Sequence, residues 1–557
     1  MRRAAIGALA VLALVLTGCA EIPTSGTVQA GSTEGPNDTS IIYLPNPPAA
    51  GANPREIVTG FLSAASAGGD LKVAKQYLST EFAKRWKPRD RVLVQEAQPT
   101  VVTVSDTALR FEVPTSASVN EHGVYVAETK TVPLDFDLVQ QRGQWRIASA
   151  PDGIVLGPSV FQRQYRPQAL EFFDPTWTRL VPDVRWFPVQ SSGSSGGPRL
   201  EDVVRTLING PAGPLANGIT ANALSGAQLQ GIVEGPAGTY TVALRVAGAE
   251  PNAATLTRMQ QQLIQSALLP TPTAVRLVVN GRIAPRAEQL VNQPGSLDAY
   301  VLLSGRFGTL GANGDFSEEP TLGRRIAATR PSAVTISMRQ KFAAVLDGSQ
   351  RVAVVGASGA PRIADERADL LPPTVDQRGW VYSIPKTDPG GLQAWNGKKT
   401  VSLIGGIPGD SVTAIEASPD GTRMLVLVQN DSTGPQAIVA GIERTADGTP
   451  IGLTTAHYEV AVGGGGKGID ATWQDDGAVA VLSSAPDNTT DRVRVQQLGG
   501  VDLALGQLTN ARTIVGTSEQ ADLRVRLESG ALWVWNNNLW QAESKVQTDV
   551  SVLAVQR

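Results

Sequence analysis

Apolar residues change their spacing several times along this chain, and each change marks a different kind of element. Ala4 to Leu16 is an apolar run of thirteen residues behind Arg2 and Arg3. It is too short to cross ~30 Å of hydrocarbon as a helix, which takes roughly 20 residues. A basic start, an apolar middle and small residues after it form the layout of an export signal. Ala20 to Asn53 is rich in Gly, Pro, Ser and Thr and reads as a tether, with Ile41 to Leu44 expected to add a strand to the next domain. Asn53-Pro54 predicts a helix start, and Ile57, Phe61, Leu62 and Ala65 then recur at helical spacing. Gly68-Gly69 closes that helix, Asp70 is placed to cap a second through Leu78, and a short third carries Phe82 and Trp86. From Val92 the period falls to two. Val101 to Val104, Leu109 to Val113, Val124 to Val126 and Val132 to Val139 read as strands, ending in Gly143-Gln144-Trp145-Arg146-Ile147.

A second unit opens near Leu170-Glu171-Phe172-Phe173 and is interrupted by a Ser/Gly loop from Ser191 to Gly197. Leu200 to Ile208 predicts a helix stopped by Asn209-Gly210-Pro211. Strands are expected at Ala227 to Val233 and Thr239 to Val246. A helix from Ala254 to Leu269 follows, with Leu256, Met259, Leu263, Ile264 and Ala267 on one face. Val275 to Val279 is then a strand turned by Asn280-Gly281. From Tyr300 onward strands and turns alternate without convincing helices. Ser418-Pro419-Asp420-Gly421 before Met424 to Val428 matches Gln474-Asp475-Asp476-Gly477 before Ala478 to Leu482. Asp376 to Gly379 before Trp380-Val381-Tyr382 and Leu527 to Gly530 before Leu532 to Trp535 read as further copies, and Ser332 to Gly348 as a degenerate one. The glycines fall 42, 56 and 53 positions apart, straddling the ~40–50 residues of a propeller blade, so five or six blades are expected. The resulting fold class is multidomain: two α+β domains and an all-β propeller.

Composition narrows the chemistry. Of 557 residues, 48 are Lys or Arg and 51 Asp or Glu; the formal charge of −3 becomes −5 once Arg2 and Arg3 leave with a signal. No basic patch is set out for nucleic acid. Cys19 is the single cysteine, which excludes an internal disulfide and a thiolate metal cluster. Gly463 to Lys467 lacks a phosphate loop's first glycine, since Ala461 stands there, and its hydroxyl, since Gly468 does; Gly391 to Lys399 misses by one residue. There is no Gly-x-Ser-x-Gly elbow, and His122 and His457, the two histidines, are far apart. Asp135 and Asp137 alternate on one strand, either as an acid/base pair or as solvated positions. Trp177, Trp186, Trp380, Trp395, Trp473, Trp533, Trp535 and Trp540 are available for sugar stacking or for blade cores. No catalytic residue, cofactor or metal is therefore assigned, and the chain is read as a non-enzyme.

Three resemblances organise these observations. Leu16-Thr17-Gly18-Cys19 resembles the lipobox of bacterial lipoproteins, which implies diacylation of the Cys19 thiol, cleavage before it and N-acylation. The helices followed by a meander ending in Gly-x-Trp-Arg-Ile resemble an NTF2-like α+β cone. Val203 to Pro211, the helix after it and Val275 to Gly281 resemble the GerMN domain. The expected order is signal peptide 1–18, tether 19–40, NTF2-like domain 41–155, GerMN domain 156–300 and propeller 301–557. That order resembles the actinobacterial LpqB lipoprotein family. The resemblance implies a protein lipid-anchored to the outer face of the cell membrane that binds the extracytoplasmic part of a sensor histidine kinase, MtrB of the MtrA–MtrB system, which governs envelope and division genes. A binder of cell-wall polymer is the alternative, and an envelope hydrolase a third reading.

Overall fold

Asn53 caps the first helix of the computed structural model, in which residues 45–557 are described except 68–70, 190–197, 268–273, 289, 291–297, 312–313, 339–340, 464, 518–522, 544 and 547–548. The expected signal, the tether, the Ile41 to Leu44 strand and Asp70 lie outside the described residues. Asn53 Oδ1 accepts from Glu56 N at 3.0 Å, and Glu56 Oε2 accepts from Asn53 N at 2.9 Å. This capping box, with Pro54 behind it, starts the helix Pro54–Ser66. The helix buries Ile57, Phe61 and Ala65 and passes so close to Tyr77 that a side chain at Gly60 would overlap its ring. It packs on a curved sheet ordered Gln144–Ser149, Tyr125–Gln141, Ala108–Asn120, Arg91–Gln95, Ile154–Leu156, with Thr100–Ser105 also paired to Ala108–Asn120. Phe61 meets Trp86 and Phe136 edge-on at 5.1 and 6.3 Å, and Phe111 meets Phe136 at 5.6 Å. A gap of about 20 Å³ remains beside Phe61, Leu93 and Phe136, enough for a single water. This part of the domain is a packed core.

In the second domain the helices Leu200–Asn209 and Ala253–Ser266 lie on a sheet ordered Arg282–Ile283, Val275–Val279, Tyr240–Val246, Ala227–Glu234. The central pair is parallel, so a crossover must join it, and Ala253–Ser266 supplies that crossover. Leu256, Met259, Leu263 and Ile264 meet Val203, Val204, Leu207 and Leu277 in one core. Gly210 has φ +92, a conformation L side chains rarely adopt, and its N–H closes the first helix onto Thr206 and Leu207.

Between the two domains runs a hairpin, Tyr165–Phe173 with Leu180–Pro188. Its Tyr165 and Trp186 belong to the first core, and its Leu170, Phe172 and Phe187 to the second. Val181 joins Leu215 and Ile219 beside Tyr458 of the propeller. One hairpin therefore stitches three cores together.

Among the described residues the propeller has six four-stranded blades. Blades 1 to 5 take their strands in order from Ala333–Ile336, Thr374–Val375, Ser411–Ala417, Gly468–Trp473 and Ala511–Val515, each the innermost of its blade. Blade 6 is composite: Val550–Gln556 is innermost, and Ala299–Leu303, Arg306–Leu310 and Phe316–Glu318 lie outside it. The six inner strands touch their neighbours in a closed ring, and Val550–Gln556 also pairs in parallel with blade 1 through Thr335 and Ile336. Closure thus joins strands about 250 residues apart. A strand starting at Ala299 already belongs to the propeller, two residues before the boundary read from sequence. Leu532 to Trp535 is the third strand of blade 5 and does not close the ring. The first three repeat copies form the turns between the first and second strands of blades 2, 3 and 4. The copy at Leu527 to Gly530 forms the next turn along in blade 5, because the same backbone geometry serves both hairpins. One short helix, Gly323–Ala328, interrupts the strands where the sequence pattern shows none.

Candidate functional site

Cys19, the lipidation candidate, lies outside the described residues. The other residues named from sequence are scattered. Asp135 is exposed and bound to Arg110, Nε to Oδ1 at 2.7 Å, which holds its carboxyl below the usual range; Asp137 is exposed beyond it. They are surface strand positions. His122 turns its ring to solvent near Glu121, while its carbonyl accepts from buried Arg185 at 2.9 Å. His457 is exposed on the outer strand of blade 3. In the glycine-rich loop, a side chain at Gly466 would overlap the Ser484 carbonyl, and Lys467 N donates to Ser484 Oγ at 2.9 Å. The loop is used for packing. Lys399 donates to Thr449 Oγ1 at 2.9 Å and covers Trp380. Trp186, Trp380, Trp473 and Trp535 are buried; Trp177, Trp395, Trp533 and Trp540 are half-buried. Among the described residues no group of three or more His, Asp or Glu side chains is arranged to hold a metal.

What the fold does bring together is a set of buried arginines at the blade joints. Asp376 Oδ1 accepts from Arg378 N and Trp380 N at 2.9 Å, and its Oδ2 accepts from Tyr382 at 2.9 Å and from Arg444 of blade 3 at 2.5 Å. Arg423 is completely buried against Asp420, lies over the Trp473 ring at 4.9 Å and donates to the Asp476 carbonyl of blade 4 at 2.5 Å. Arg557 crosses the channel: it pairs with Glu416 of blade 3 and donates to the Trp473 carbonyl of blade 4 at 2.8 Å and to the Gly516 carbonyl, just past the inner strand of blade 5, at 3.3 Å. Its own N–H reaches the Ile336 carbonyl of blade 1 at 2.8 Å. Burial raises the Glu416 carboxyl, and Arg557 pulls it back. Each arginine satisfies charge in a place where an unpaired one would be very costly. Of the aspartates in the repeated turns, Asp376 and Asp420 are occupied by these arginines, and Asp475 Oδ1 accepts from the Gly477 and Ala478 N–H groups at 2.6 and 2.7 Å.

On the same face sits the interdomain hairpin. Asp174 in its turn accepts from Thr176, Thr178 and Arg179 N–H groups at 2.8–3.0 Å and faces Arg378 at 3.9 Å. Arg185 grips Asp183 with two donors, at 3.0 and 2.6 Å, and Asp183 Oδ2 also accepts from Ala212 N at 3.0 Å, just past the Asn209-Gly210-Pro211 stop. Trp186 Nε1 donates to the Gly499 carbonyl of blade 4 at 2.9 Å. Half-buried Glu171 is pushed up to about 7 by burial and by Asp476, against Arg423. Sequence reasoning missed Glu171, Arg185, Arg423 and Arg557; the Asp-Gly turns were the available signal for Arg423 alone. The geometry is that of a joint, with side chains spent on fixing domains.

The fold and this joint define a multidomain protein, an α+β domain and a GerMN-type domain fixed to a closed propeller. Three family models match in that order: "Lipoprotein LpqB, N-terminal domain" over residues 47–162, "Sporulation and spore germination" over 170–284, and "Lipoprotein LpqB beta-propeller domain" over 318–552. A Lipoprotein LpqB of Cutibacterium acnes is 26% identical, covering 91% of this chain and 90% of that one. That of Thermobifida fusca is 34% identical over 45% of this chain and 42% of its own. The chain belongs to the LpqB lipoprotein family. Among solved structures, a chain of a nidogen–laminin complex is similar over 46% of this chain and 97% of its own, at 12% identity and a TM-score of 0.34.

Proposed function

We propose that this protein is a lipid-anchored extracytoplasmic accessory protein that binds the sensor part of a membrane histidine kinase and tunes its signalling, in a two-component system of the MtrA–MtrB type. The observation that carries the reading is the lipobox cysteine, Cys19, ahead of a body whose buried charges fix domains to one another. Two or three acyl chains hold a protein at a membrane where one does not. Among the described residues no helix is long and apolar enough to cross a membrane. Confinement to one surface raises the effective concentration of the partners towards the mM range, so a weak interface suffices. The relatives are named lipoproteins, and that name supports anchoring here.

The test is reconstitution. Kinase in vesicles, with and without the acylated protein, is assayed for autophosphorylation. A changed rate with the acylated protein, and a much smaller change with an unacylated Cys19→Ser chain, is expected. An unchanged rate in both speaks for the polymer-binding alternative. The intact mature chain is needed, because cutting near residue 300 would expose Val181, Leu215 and Ile219.

A further inference from the structure

A groove of about 490 Å³ opens between blades 1 and 2, within the size range of sites that hold small ligands. Phe342 and Trp395 form parts of its walls, Lys341 and Arg362 stand at its edge, and Ser358 and Asn396 add polar groups. Its lining contains no carboxylate. The Arg362 guanidinium lies 5.0 Å over the half-buried Trp395 ring, and the residue is exposed. Neighbouring arginines are neutralised within the blade, Arg351 by Asp347 at 2.9 Å and Arg367 by Asp365 at 2.6 Å. Among the described residues Arg362 and Lys341 have no such partner. Arg325 holds the rim, donating from Nε to the Gly356 carbonyl at 2.7 Å and also to that of Gly359.

We propose that this groove binds a glycan whose sugar units carry an anionic group, a carboxylate or a phosphate. A guanidinium offers forked donors matched to either anion, and stacking on Trp395 orients it. Phe342 supplies an aromatic face for the C–H side of a sugar ring, and Ser358 and Asn396 meet hydroxyls. Asn396 Oδ1 already accepts from the Lys398 and Lys399 N–H groups at 3.0 and 3.1 Å, which fixes its amide. The strands carrying Phe342 and Trp395 lie inside their blades, with Phe342 opposite Gly356 and Trp395 between Val381 and Thr400. Arg362–Asp365, the outer strand of blade 1, is paired on one side only, so an acidic peptide laid along it is the competing outcome, which the Glu-rich peptide below tests.

The experiment is calorimetric titration of the full-length protein in detergent with an oligogalacturonide, a sugar phosphate, a neutral cello-oligosaccharide and a Glu-rich peptide. Binding of at least one charged sugar, at least tenfold weaker binding of the neutral one, and weakening by salt are expected. Arg362→Gln should lose tenfold or more with an unchanged melting temperature. Lys341→Gln, at an exposed position, gives a second reading should the first variant fail to fold. Preference between carboxylate and phosphate assigns the anion. No binding of either charged sugar at millimolar concentration, equal affinity for the neutral one, tighter binding of the peptide, or full affinity in folded variants would overturn the proposal.

Discussion

Removing the closing strand should destroy the propeller as a unit. A chain ending at Asp549 loses the inner strand of blade 6 and with it Val550, Val552, Leu553 and Val555, all buried. At about 1.5–3 kcal/mol per fully buried aliphatic side chain, the lost burial is roughly 6–12 kcal/mol. Glu416 is also left in the channel without Arg557, and breaking a buried pair from one side costs about 3–5 kcal/mol more. A folded domain has only about 5–15 kcal/mol in total, so the closed state cannot persist. Ala299–Leu303 and Ala333–Ile336 would each present an unpaired edge, inviting self-association. Thermal melting and size-exclusion chromatography measure both consequences: the propeller transition should fall by more than about 10 °C or vanish, with oligomers or aggregate appearing. A truncated chain that stays monomeric with the parent's melting temperature would refute closure by this strand.

Three further outcomes are expected. Cys19→Ser should leave a folded protein that takes up no radiolabelled palmitate and leaves the membrane fraction; unchanged acylation or retention would count against the lipobox. Glu171 has a folded pKa of about 7 against an ordinary 4.5, because burial and Asp476 favour its protonated form. Its contribution to stability is therefore fully present below about pH 4.5 and lost as pH rises through 7, by roughly 3 kcal/mol. Glu171→Gln should flatten the melting temperature across that window, and superimposable profiles would rule the effect out. Gly210→Ala should destabilise the second domain by about 1–3 kcal/mol, read by denaturant unfolding, since alanine tolerates φ +92 poorly.

Local chemistry made much of this fold legible. Asn53-Pro54 announced its helix because the capping box is completed within four residues, and Leu256, Met259, Leu263 and Ile264 announced theirs by period. The Asp-Gly turns announced the blades but not their register: the turn at Leu527 is built like that at Asp376 yet sits one strand later. Nothing local marks Val550–Gln556 as the partner of Ala299–Leu303, because that pairing depends on ring closure. Asp420 stands three residues before Arg423, but only the ring of inner strands buries that pair over Trp473 and brings Glu416 to Arg557. The hairpin from Tyr165 to Pro188 looked like the opening of one domain, and alternation sends its side chains into three. Trp395 and Arg362, 33 residues apart, meet across a blade boundary that no spacing rule anticipates.

The most direct test of the account is crosslinking in intact cells, with the acylated full-length protein carrying photoreactive groups on the exposed surface of residues 45–300 and, separately, of the propeller. Capture of a membrane sensor histidine kinase through its extracytoplasmic part from at least one of the two sets is expected, with loss of that capture in Cys19→Ser. Capture of cell-wall polymer without a kinase from either set would contradict the accessory role itself.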